Sequence, residues 1–574
     1  MKTVLVGINS KYIHTCLAVW YLKASLKNTA ETVVREFTIN DSKDGILAEI
    51  YKEKPHILAF SCYVWNYEMV KVLIPEIKKL IPKCFIILGG PEVSYTAAQV
   101  LKDNAPVDFV LCGEGEEVLP ALTQAIQTGS KEYKTLKGIA YREDKEVIYR
   151  EGLNLVAQLD RLNSPYTDAL LDSAENRIIY YESSRGCPFN CSYCISSTFN
   201  GVRFFSFERV KAELEKLLRY KPKLIKFVDR TFNCNKKRAK EIIEYIISQE
   251  CSTVFHFEAA ADLFDDEMLE LLRNAPKGRI QLEIGLQTTN PETLEEIDRI
   301  TDLNKLRYNV EGILAGSNIH VHLDLIAGLP FEDINSFRKS FNEVYDMRPH
   351  QLQLGFLKML KGARVRSEAE KHGYIYRDFA PYEILENKYI KFQDILDLKD
   401  VEEIVERYFN SGRYQKALML LEKIYSGDCF ELYKTLSVYC RKNGYLDRPI
   451  AYRENVGILF NFVKAELPGT VNMEEFRQAM VFDFLSSDSS CAIPDTIRAE
   501  RDFIPANRIH EILKSQDFIR DYLPGFADIP AKNIMKKVFF VSLDLITKPE
   551  ELLIFDYHQK DEVDGKYRNI RIKG

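Results

Sequence analysis

Three cysteines, Cys187, Cys191 and Cys194, share the short segment CPFNCSYC at 187–194. Three thiolates from one loop can bind three irons of a 4Fe-4S cluster and leave the fourth iron open to an exchangeable ligand. A structural zinc site normally takes four protein ligands, often as two separated pairs, and the sequence offers no second pair. The spacing therefore predicts a 4Fe-4S cluster bound by these three cysteines.

Further polar residues lie in or just after apolar runs on the carboxyl side of the cysteines. They are Asp229, Glu258, Gln287, Arg299 and Asp324. The apolar runs are typical of strands, and Arg299 lies one predicted helix beyond Gln287. Glu258 or Asp324 alone would more often be a solvated or salt-bridged acid. Their ordered appearance at successive strands favours one shared site.

A second set of small and polar residues marks strand ends within the first 125 residues. The set consists of Ser61, Gly89, Gly90, Gly113 and Glu114. Glycine pairs let a bulky group approach the backbone, and doubly wound sheets bind ligands beyond the carboxyl ends of their strands. These residues therefore predict a ligand-binding edge, for which a generic nucleotide site of the flavodoxin type is the alternative.

Short runs of branched apolar residues alternate with helical patterns over residues 2–125. The predicted strands span 3–8, 32–38, 56–61, 85–88 and 108–112. Such alternation is typical of a parallel sheet covered by helices on both faces. We therefore predict an α/β domain of flavodoxin-like (Rossmann-type) fold over 1–125. A connector with short strands near 137–141 and 146–150 follows over 126–175.

The alternation resumes at a longer spacing from residue 177. The predicted strands span 178–182, 224–228, 254–258, 280–285, 320–326 and 352–356. Six strand–helix units predict a partial β/α barrel of the TIM-like kind over 176–375, with its chemistry at the carboxyl ends of the strands. Residues 376–574 are predicted to be a mostly helical extension that closes with a hairpin, and we expect this extension to cover the barrel mouth.

The composition is that of an ordinary globular protein, with 46% hydrophobic and 28% charged residues and a net charge of −6. This argues against a disordered or collagen-like chain and gives no overall attraction for nucleic acid. The sequence has no apolar run of about 18 residues and no signal-peptide pattern at its start. We therefore expect a cytoplasmic protein without a membrane segment, whose twelve cysteines are reduced.

The cysteine segment resembles that of the radical S-adenosylmethionine (radical SAM) superfamily. In that family SAM chelates the open iron through its amino and carboxylate groups, so the resemblance implies SAM as a cofactor beside the 4Fe-4S cluster. Tyr193 occupies the aromatic position before the third cysteine, where the family packs it near the adenine. Glu258 stands where the family places a ribose-binding carboxylate, and Arg299 where it places an arginine for the SAM carboxylate.

Three further segments carry the resemblance. FVDRTFN at 227–233 resembles the F-x-D-D-T-F segment of the branch with cobalamin domains, although Arg230 replaces the second acid. GLQT at 285–288 is similar to the G-x-Q-S motif, and DLIAGLP at 324–330 to the D-L-I-x-G-L-P segment around the adenosine. The resemblance thus implies that Asp229, Gln287 and Asp324 contact the cofactor.

Two N-terminal segments look like the paired signatures of a cobalamin-binding domain fused to such a barrel. They are GGPE at 89–92 and DFVLCGEGE at 108–116. The resemblance implies cobalamin as a third cofactor, with its nucleotide tail against Gly89, Gly90, Gly113 and Glu114. Ser61 fits the family's hydroxyl contact to that tail.

The loop NSKYIHTC at 9–16 departs from the D-x-H-x-x-G pattern that supplies a lower ligand to cobalt in methionine synthase-type domains. His14 is present without the aspartate and glycine at the required offsets. We therefore expect His14 to be a capping or packing residue. The segment YVWN at 63–66 could cover the lower face of the cobalamin or pack in the core.

The resemblance implies an enzyme that methylates a non-nucleophilic carbon by means of methylcobalamin and a 5′-deoxyadenosyl radical. One SAM would remethylate reduced cobalamin and another would yield the radical. A non-methylating cobalamin and radical SAM enzyme that forms or rearranges rings stays open, because methyl transfer requires no motif of its own. The intact cysteine triad argues against a non-catalytic cobalamin sensor.

An RNA base is another open possibility for the substrate, since basic runs stand at 236–238 and 566–573. Such runs are more often solvated faces, so we expect a small-molecule substrate. The implied radical chemistry needs an external low-potential electron donor, and no membrane partner is expected. Cys234, one residue past FVDRTFN, is expected to be structural.

Overall fold

The computed structural model describes residues 1–27, 29–144, 146–198, 201–548 and 550–573. Its first sheet has seven strands in the order β2-β1-β3-β4-β5-β6-β7. The strands are β1 (Lys2–Asn9), β2 (Glu31–Thr38), β3 (Ile57–Ser61), β4 (Phe85–Gly89), β5 (Phe109–Leu111), β6 (Ile139–Glu143) and β7 (Glu146–Arg150). The first five are parallel, as predicted. Strands β6 and β7 come from the predicted connector and extend the sheet in antiparallel fashion.

Helices cover both faces of this sheet, because its strands are apolar on both sides. Leu5 of β1 belongs to one buried cluster, whereas Val4 and Val6 belong to another on the opposite face. This double burial is typical of parallel sheets. The helices of the domain are Leu17–Ser25, Lys43–Glu53, Tyr67–Leu80, Pro91–Ser94, Ala97–Asp103 and Val118–Thr128.

The second unit is a six-stranded parallel sheet with a small antiparallel hairpin inserted between its first two strands in the chain. The strands are β8 (Ile179–Tyr181), the hairpin β9 (Ser184–Cys187) and β10 (Gly201–Phe204), then β11 (Leu224–Phe227), β12 (Val254–Glu258), β13 (Ile280–Gln287), β14 (His320–Ala327) and β15 (Gln351–Phe356). The sheet order is β15-β14-β13-β12-β11-β8. Within the described ranges β8 and β15 do not pair, so the barrel is partial, as predicted.

Amphipathic helices pack on the outside of this barrel. They are Asp168–Ser173, Phe207–Arg219, Lys236–Ile247, Asp266–Arg273, Pro291–Glu296, Leu303–Ala315 and Ile334–Asp346. Burial alternates strictly along β13 and β14, with apolar side chains towards the helices. The half-buried side chains of these strands face the barrel interior and include Glu283, His322 and Asp324, so the interior is polar.

The C-terminal region is mostly helical, as predicted. Its helices are Arg364–Ser367, Ala369–His372, Phe392–Ile404, Val405–Asn410, Gln415–Ile424, Cys429–Lys442, Tyr452–Glu466, Met473–Ser487, Ala506–Lys514, Gln516–Tyr522 and Ala531–Ile534. Two short strands, β16 (Ile375–Tyr376) and β17 (Ile384–Glu386), form one pair. A three-stranded antiparallel sheet closes the chain with β18 (Val538–Val541), β19 (Glu551–Lys560) and β20 (Tyr567–Lys573). None of the helices in these ranges is long and apolar enough to span a membrane.

The expectation that the C-terminal region covers the barrel mouth is wrong for most of that region. Asn410 hydrogen-bonds both backbone groups of Leu352 near the amino end of β15, at 2.8 and 2.9 Å. Lys277, which precedes β13, forms an ion pair with Asp561 in the turn after β19. The helical region therefore packs against the floor and the outside of the barrel. Near the mouth, Asn387 donates a hydrogen bond to the Gly328 carbonyl at 3.0 Å.

A buried carboxyl group ties together the carboxyl ends of β13 and β14. Glu332 is 1% exposed and accepts hydrogen bonds from Thr288 at 2.6 Å and Ser340 at 3.2 Å. Burial raises its pKa from 4.5 to about 7, although both hydroxyl donors oppose the shift. The folded chain therefore holds this proton more tightly than the unfolded chain does.

We expect Glu332→Gln to flatten the pH dependence of stability. The stability that the raised pKa contributes is complete below the unfolded value of 4.5 and is lost as pH rises through about 7. Its full loss corresponds to about 3 kcal/mol of unfolding free energy. Chemical unfolding at about pH 5.5 and about pH 8 should show a smaller difference for the variant than for the wild type. An equal difference in both proteins would contradict the assignment.

Candidate active site

The cysteine loop begins at the end of β9, the first strand of the hairpin at the barrel mouth. Cys187 ends β9, and Gly186 before it has a φ of +99°, where an added Cβ would lie 2.2 Å from the Gly201 carbonyl oxygen. Ser192, between the other two cysteines, donates to the Ile297 carbonyl and accepts from the Val365 amide, both at 2.9 Å. The loop is thus fixed to the barrel on two sides before any cofactor binds.

One cavity of about 190 Å³ joins the cysteines to most of the predicted cofactor-binding residues. From the predicted set it is lined by Cys187, Cys191, Cys194, Tyr193, Glu258, Gln287, Arg299 and Asp324. Arg230 and Glu283 also line it, and the motifs did not assign them a role. The spacing of Glu283 from Gln287 along one strand face could have revealed its position, because alternate residues of a strand share a face.

Arg299 connects the cysteine loop to the end of β13. Its guanidinium lies 3.7 Å from the Cys191 sulfur and 3.3 Å from the Tyr193 hydroxyl, and it also donates to the Gly285 carbonyl. Its Nε is buried and finds no hydrogen-bond partner among the residues that the structure describes. A buried donor without a partner is costly, so this group is suited to an anionic ligand group such as a carboxylate.

The carboxylates of the cavity differ in their charge state. Burial, reinforced by Glu283 and Glu258, raises the pKa of Asp324 to about 8, and burial also raises the pKa of Glu258. Burial opposes ionisation of Glu283, but hydrogen bonds from His256 at 2.9 Å and Lys226 at 3.0 Å outweigh it and lower its pKa to about 2. Glu283 therefore already has its partners.

Asp324 is the acid left for a ligand. Its Oδ1 is buried without a hydrogen-bond partner in the described part of the chain. A largely protonated carboxyl group and a guanidinium nitrogen, both unpaired at one cavity, suit a ligand that carries neutral hydrogen-bonding groups and an anionic group. SAM, with its ribose hydroxyls and its carboxylate, fits this pair of groups beside the three cysteines.

Gln287 lies at an irregularity in β13. Its φ is +75°, which is uncommon for a residue other than glycine. The pairing of β13 with β14 shifts register between Gly285 and Gln287, and a Cβ on Gly285 would lie 2.2 Å from the Gln287 side-chain nitrogen. The bulge thus turns the Gln287 side chain back over Gly285, beside Arg299. Strained backbone of this kind concentrates at functional sites.

Asp229 does not line the cavity, in contrast to the role that the motif implies. It is 1% exposed and accepts hydrogen bonds from the Ser183 amide at 3.0 Å, the Ser183 hydroxyl at 2.7 Å and the Ser184 hydroxyl. It therefore fixes the start of the cysteine hairpin to the end of β11. Cys234 lies in the next turn, half-buried, and its amide donates to the Thr231 carbonyl at 3.1 Å.

The glycines of the N-terminal sheet have different neighbours. A Cβ on Gly90 would lie 2.5 Å from the Cys62 oxygen, and one on Gly113 would lie 2.4 Å from the Asn154 oxygen. Both glycines are thus required by contacts within the protein. A Cβ on Gly89 would meet only the Leu111 carbonyl at 3.8 Å. The surface at Gly89 is therefore the part of the strand edge where a bulky ligand can approach, next to Ser61, its partner in β3.

Glu114 forms its polar contacts with Arg203 of the hairpin and with Val156, not with residues of the strand edge. Arg203 of β10 donates to both of its oxygens, at 2.9 and 2.5 Å, and the Val156 amide donates at 2.6 Å. Its carboxylate is 16% exposed. The sequence implies a cofactor contact for Glu114, whereas the structure places it in an ion pair between the two domains.

The structure also gives the contacts of the loop at 9–16 and of the segment at 63–66, which follow strands β1 and β3. His14 shares a hydrogen bond of 2.7 Å between its Nδ1 and the Tyr180 hydroxyl of β8, which supports the expected packing role. Tyr63 and Trp65 stack with ring centroids 4.4 Å apart, and the Trp65 indole donates to the Ile8 carbonyl at 3.0 Å. The pair therefore forms a rigid aromatic surface beyond β3.

We expect Cys187→Ala, Cys191→Ala and Cys194→Ala each to abolish SAM cleavage. A cluster with one protein ligand fewer should not assemble in its site-differentiated form. Iron and sulfide content, the reduced-cluster EPR signal and 5′-deoxyadenosine formation would be measured together. Cys234→Ala is the matched control and should retain all three properties. Retained SAM cleavage in any of the three variants would contradict the cluster assignment.

We expect Gly89→Val to expel cobalamin and leave the iron content unchanged. A valine Cβ has room in the protein itself at this position, so the variant should fold while its side chain blocks the ligand. Cobalt and iron would be quantified after anaerobic reconstitution. Gly525→Val, at a glycine without a positive φ and with open space around it, controls for a general effect of a larger side chain. Undiminished cobalt would show that the cobalamin tail binds elsewhere.

Three family models match successive parts of the chain. The B12 binding domain matches residues 3–123, and the radical SAM superfamily matches residues 181–344. A family described as a protein of unknown function matches residues 370–560. The first two matches cover the five parallel strands of the first sheet and β11 to β14 of the second.

Relatives at low identity match a little more than half of this chain. The chain is 25% identical over 332 residues to the cobalamin-dependent radical SAM methyltransferase TokK of Streptomyces tokunonensis. The aligned region covers 54% of this chain and 47% of TokK. The chain is 23% identical over 342 residues to the anaerobic magnesium-protoporphyrin IX monomethyl ester cyclase of Rubrivivax gelatinosus, over 57% of this chain and 61% of the cyclase. The match thus spans about half the length of TokK.

A solved structure supports the architecture. The cobalamin-dependent S-adenosylmethionine radical enzyme OxsB, with aqua-cobalamin bound, superposes with a TM-score of 0.61 at 16% identity, over 84% of this chain and 79% of that chain. This likeness is one of fold. The two family models therefore indicate a B12-binding domain over residues 3–123 followed by a radical SAM domain over residues 181–344.

Proposed function

We propose that the protein is a cobalamin-dependent radical SAM methyltransferase that acts on a non-nucleophilic carbon of a small-molecule substrate. The observation that supports this proposal is that one cavity is lined by all three cysteines, Arg299 and Asp324. Arg299 has a guanidinium nitrogen, and Asp324 a carboxyl oxygen, without a partner in the described part of the chain. A sensor or carrier would have no need of such a site beside a B12-binding domain.

The residues of the cavity have separable tasks in this proposal. The three cysteines hold three irons and leave one coordination position for SAM. Arg299 binds the SAM carboxylate, while Asp324 and Glu258 orient the adenosine. The Tyr193 ring closes one wall of the cavity and is held by Arg299 at 3.3 Å. When bound, the cluster would supply the electron that cleaves SAM, and cobalamin would serve as the methyl carrier.

The B12-binding domain meets the barrel on the side where this cavity opens. His14, in the loop after β1, contacts Tyr180 of β8, and Glu92, after β4, lies 2.8 Å from Lys361. Tyr382 donates a second hydrogen bond to Glu92. These contacts turn the carboxyl ends of both sheets towards each other, which supports transfer of a group between cofactors bound at each.

The relatives favour methyl transfer, since TokK is named as a methyltransferase. The resemblance to a cyclase keeps ring formation as the alternative that the experiment must separate. An RNA substrate receives less support from the basic run at 236–238, because Arg238 donates a hydrogen bond to the Ser183 carbonyl at 3.2 Å. The other basic run lies in strand β20 over residues 567–573.

We also propose a cytoplasmic location and an external low-potential electron donor. All twelve cysteines are unpaired, and free thiols in this number are typical of a reducing compartment. The reaction consumes electrons that none of the side chains in the cavity can supply. A redox protein or a chemical reductant must therefore deliver them to the cluster.

The first test is product analysis after anaerobic reconstitution with iron, sulfide and cobalamin. With SAM and a low-potential reductant, we expect S-adenosylhomocysteine and 5′-deoxyadenosine to form together, because methyl transfer consumes SAM in two ways. SAM with a deuterated methyl group would then label the acceptor in cell extracts. The Cys191→Ala variant serves as the control without a complete cluster.

Deoxyadenosine without S-adenosylhomocysteine would overturn the methyltransferase proposal in favour of ring formation or rearrangement. Neither product from protein with a full cluster and bound cobalamin, in the presence of extract, would favour the sensor. Retention of tRNA that weakens as salt rises would indicate an RNA substrate, because phosphate contacts release counterions.

A further inference from the structure

The hairpin whose first strand, β9, ends in Cys187 carries two arginines in directly opposite positions. Arg185 of β9 pairs with Arg203 of β10 in the antiparallel register. Like charges directly opposite each other destabilise a strand pair. The hairpin therefore requires acidic partners from outside itself.

The B12-binding domain supplies two of these partners from its GEGE turn. Glu114 forms a bidentate pair with Arg203 and lies 3.3 Å from Arg185. Glu116 accepts a hydrogen bond of 2.6 Å from Arg185. Glu182, just before the hairpin, accepts one of 3.0 Å from the same guanidinium. Arg185 thus stands at the centre of three carboxylates that come from both domains.

These side chains are largely removed from solvent. Arg185 is 10% exposed, Glu116 8% and Glu114 16%. The Arg185 guanidinium also lies 5.0 Å from the centre of the Tyr21 ring. Salt screens such interactions weakly compared with surface pairs. The planar fork of arginine makes geometry-dependent contacts that lysine cannot reproduce.

The barrel holds the same segment from its other side. Asp229, at the end of β11, accepts hydrogen bonds from Ser183 and Ser184, directly before Arg185. The strand that ends in Cys187 therefore has polar contacts with the barrel on one side and with the B12-binding domain on the other. Loss of the outer contacts would leave the strand attached to the barrel and change only its relation to the other domain.

We infer that Arg185 is a positioning residue that fixes the cluster-bearing hairpin relative to the B12-binding domain. It thereby sets the separation between the cluster with its SAM and the cobalamin. This inference rests on the proposed function, because it assumes that both cofactors act on one reaction. Arg185 lies outside the set of residues that line the cavity, so its role is indirect.

The test compares Arg185→Lys with Arg477→Lys. Arg477 is a matched control, because it is 9% exposed and sits between Glu474 and Asp502 in the C-terminal region. Arg185→Lys keeps the positive charge and removes the planar guanidinium that contacts three carboxylates at once. Other contacts between the domains, such as Glu92 with Lys361 at 2.8 Å, remain to hold the fold.

Both variants would be reconstituted and measured for iron, cobalamin and the two SAM-derived products. For Arg185→Lys we expect normal cofactor content and a fall of about tenfold or more in S-adenosylhomocysteine formation, because small displacements of reacting groups are costly. Deoxyadenosine formation depends on the cluster and SAM alone and should change little. Arg477→Lys should change neither product.

A spectroscopic measurement tests the positioning without turnover. The reduced cluster enhances the spin relaxation of cob(II)alamin in a manner that falls steeply with distance. The microwave power needed to saturate the cobalt EPR signal should therefore differ between Arg185→Lys and wild type, and stay unchanged in Arg477→Lys. If Arg185→Lys does not fold, Glu116→Gln removes one partner of the same guanidinium and should shift the signal in the same direction.

The outcomes separate the inference from the proposed function. Unchanged saturation behaviour, or an equal fall of both products in Arg185→Lys, would overturn the positioning role. Wild-type protein that forms no S-adenosylhomocysteine would overturn the proposed methyl transfer. In that case the EPR comparison still decides whether Arg185 sets the distance between the two cofactors.

Discussion

The site depends on how one short strand is held. Strand β9 carries Arg185 and ends in Cys187, and among the strands that the structure describes it pairs with β10 alone, which places a second arginine opposite the first. Such a hairpin has little stability of its own. Asp229 holds it from the barrel, and Glu114 and Glu116 hold it from the N-terminal domain. The cysteines are therefore presented by a segment whose position both domains define.

The cavity beside this strand is organised by the distribution of buried charge. Glu283 is paired with Lys226 and His256, so it is ionised and already satisfied. Asp324 and Arg299 each keep a buried atom without a partner in the described structure. Because desolvated polar groups are costly unless they are paired, a ligand that satisfies both atoms gains more from binding here than it would at a solvated surface.

The C-terminal region contributes to this arrangement from a distance. It fixes the amino end of β15 through Asn410 and reaches the floor of the barrel through Asp561. Of the strands it supports, β13 carries Gln287 at its other end, and β14, which carries Asp324, lies between β13 and β15. A floor that is fixed in this way keeps the polar ends of the strands in register on the side where the B12-binding domain contacts the barrel.

The sequence alone determined what depends on local spacing. Three cysteines within one loop predict the cluster, and the alternation of strands and helices predicts both sheets, because such patterns act over a few residues. Only the tertiary structure decided that Glu114 pairs with Arg203, that Asp229 binds Ser183 and that the C-terminal helices lie on the barrel floor. Those partners stand far apart in the chain. A charged side chain is satisfied by whichever opposite group packing brings near it, and spacing along the chain does not encode that choice.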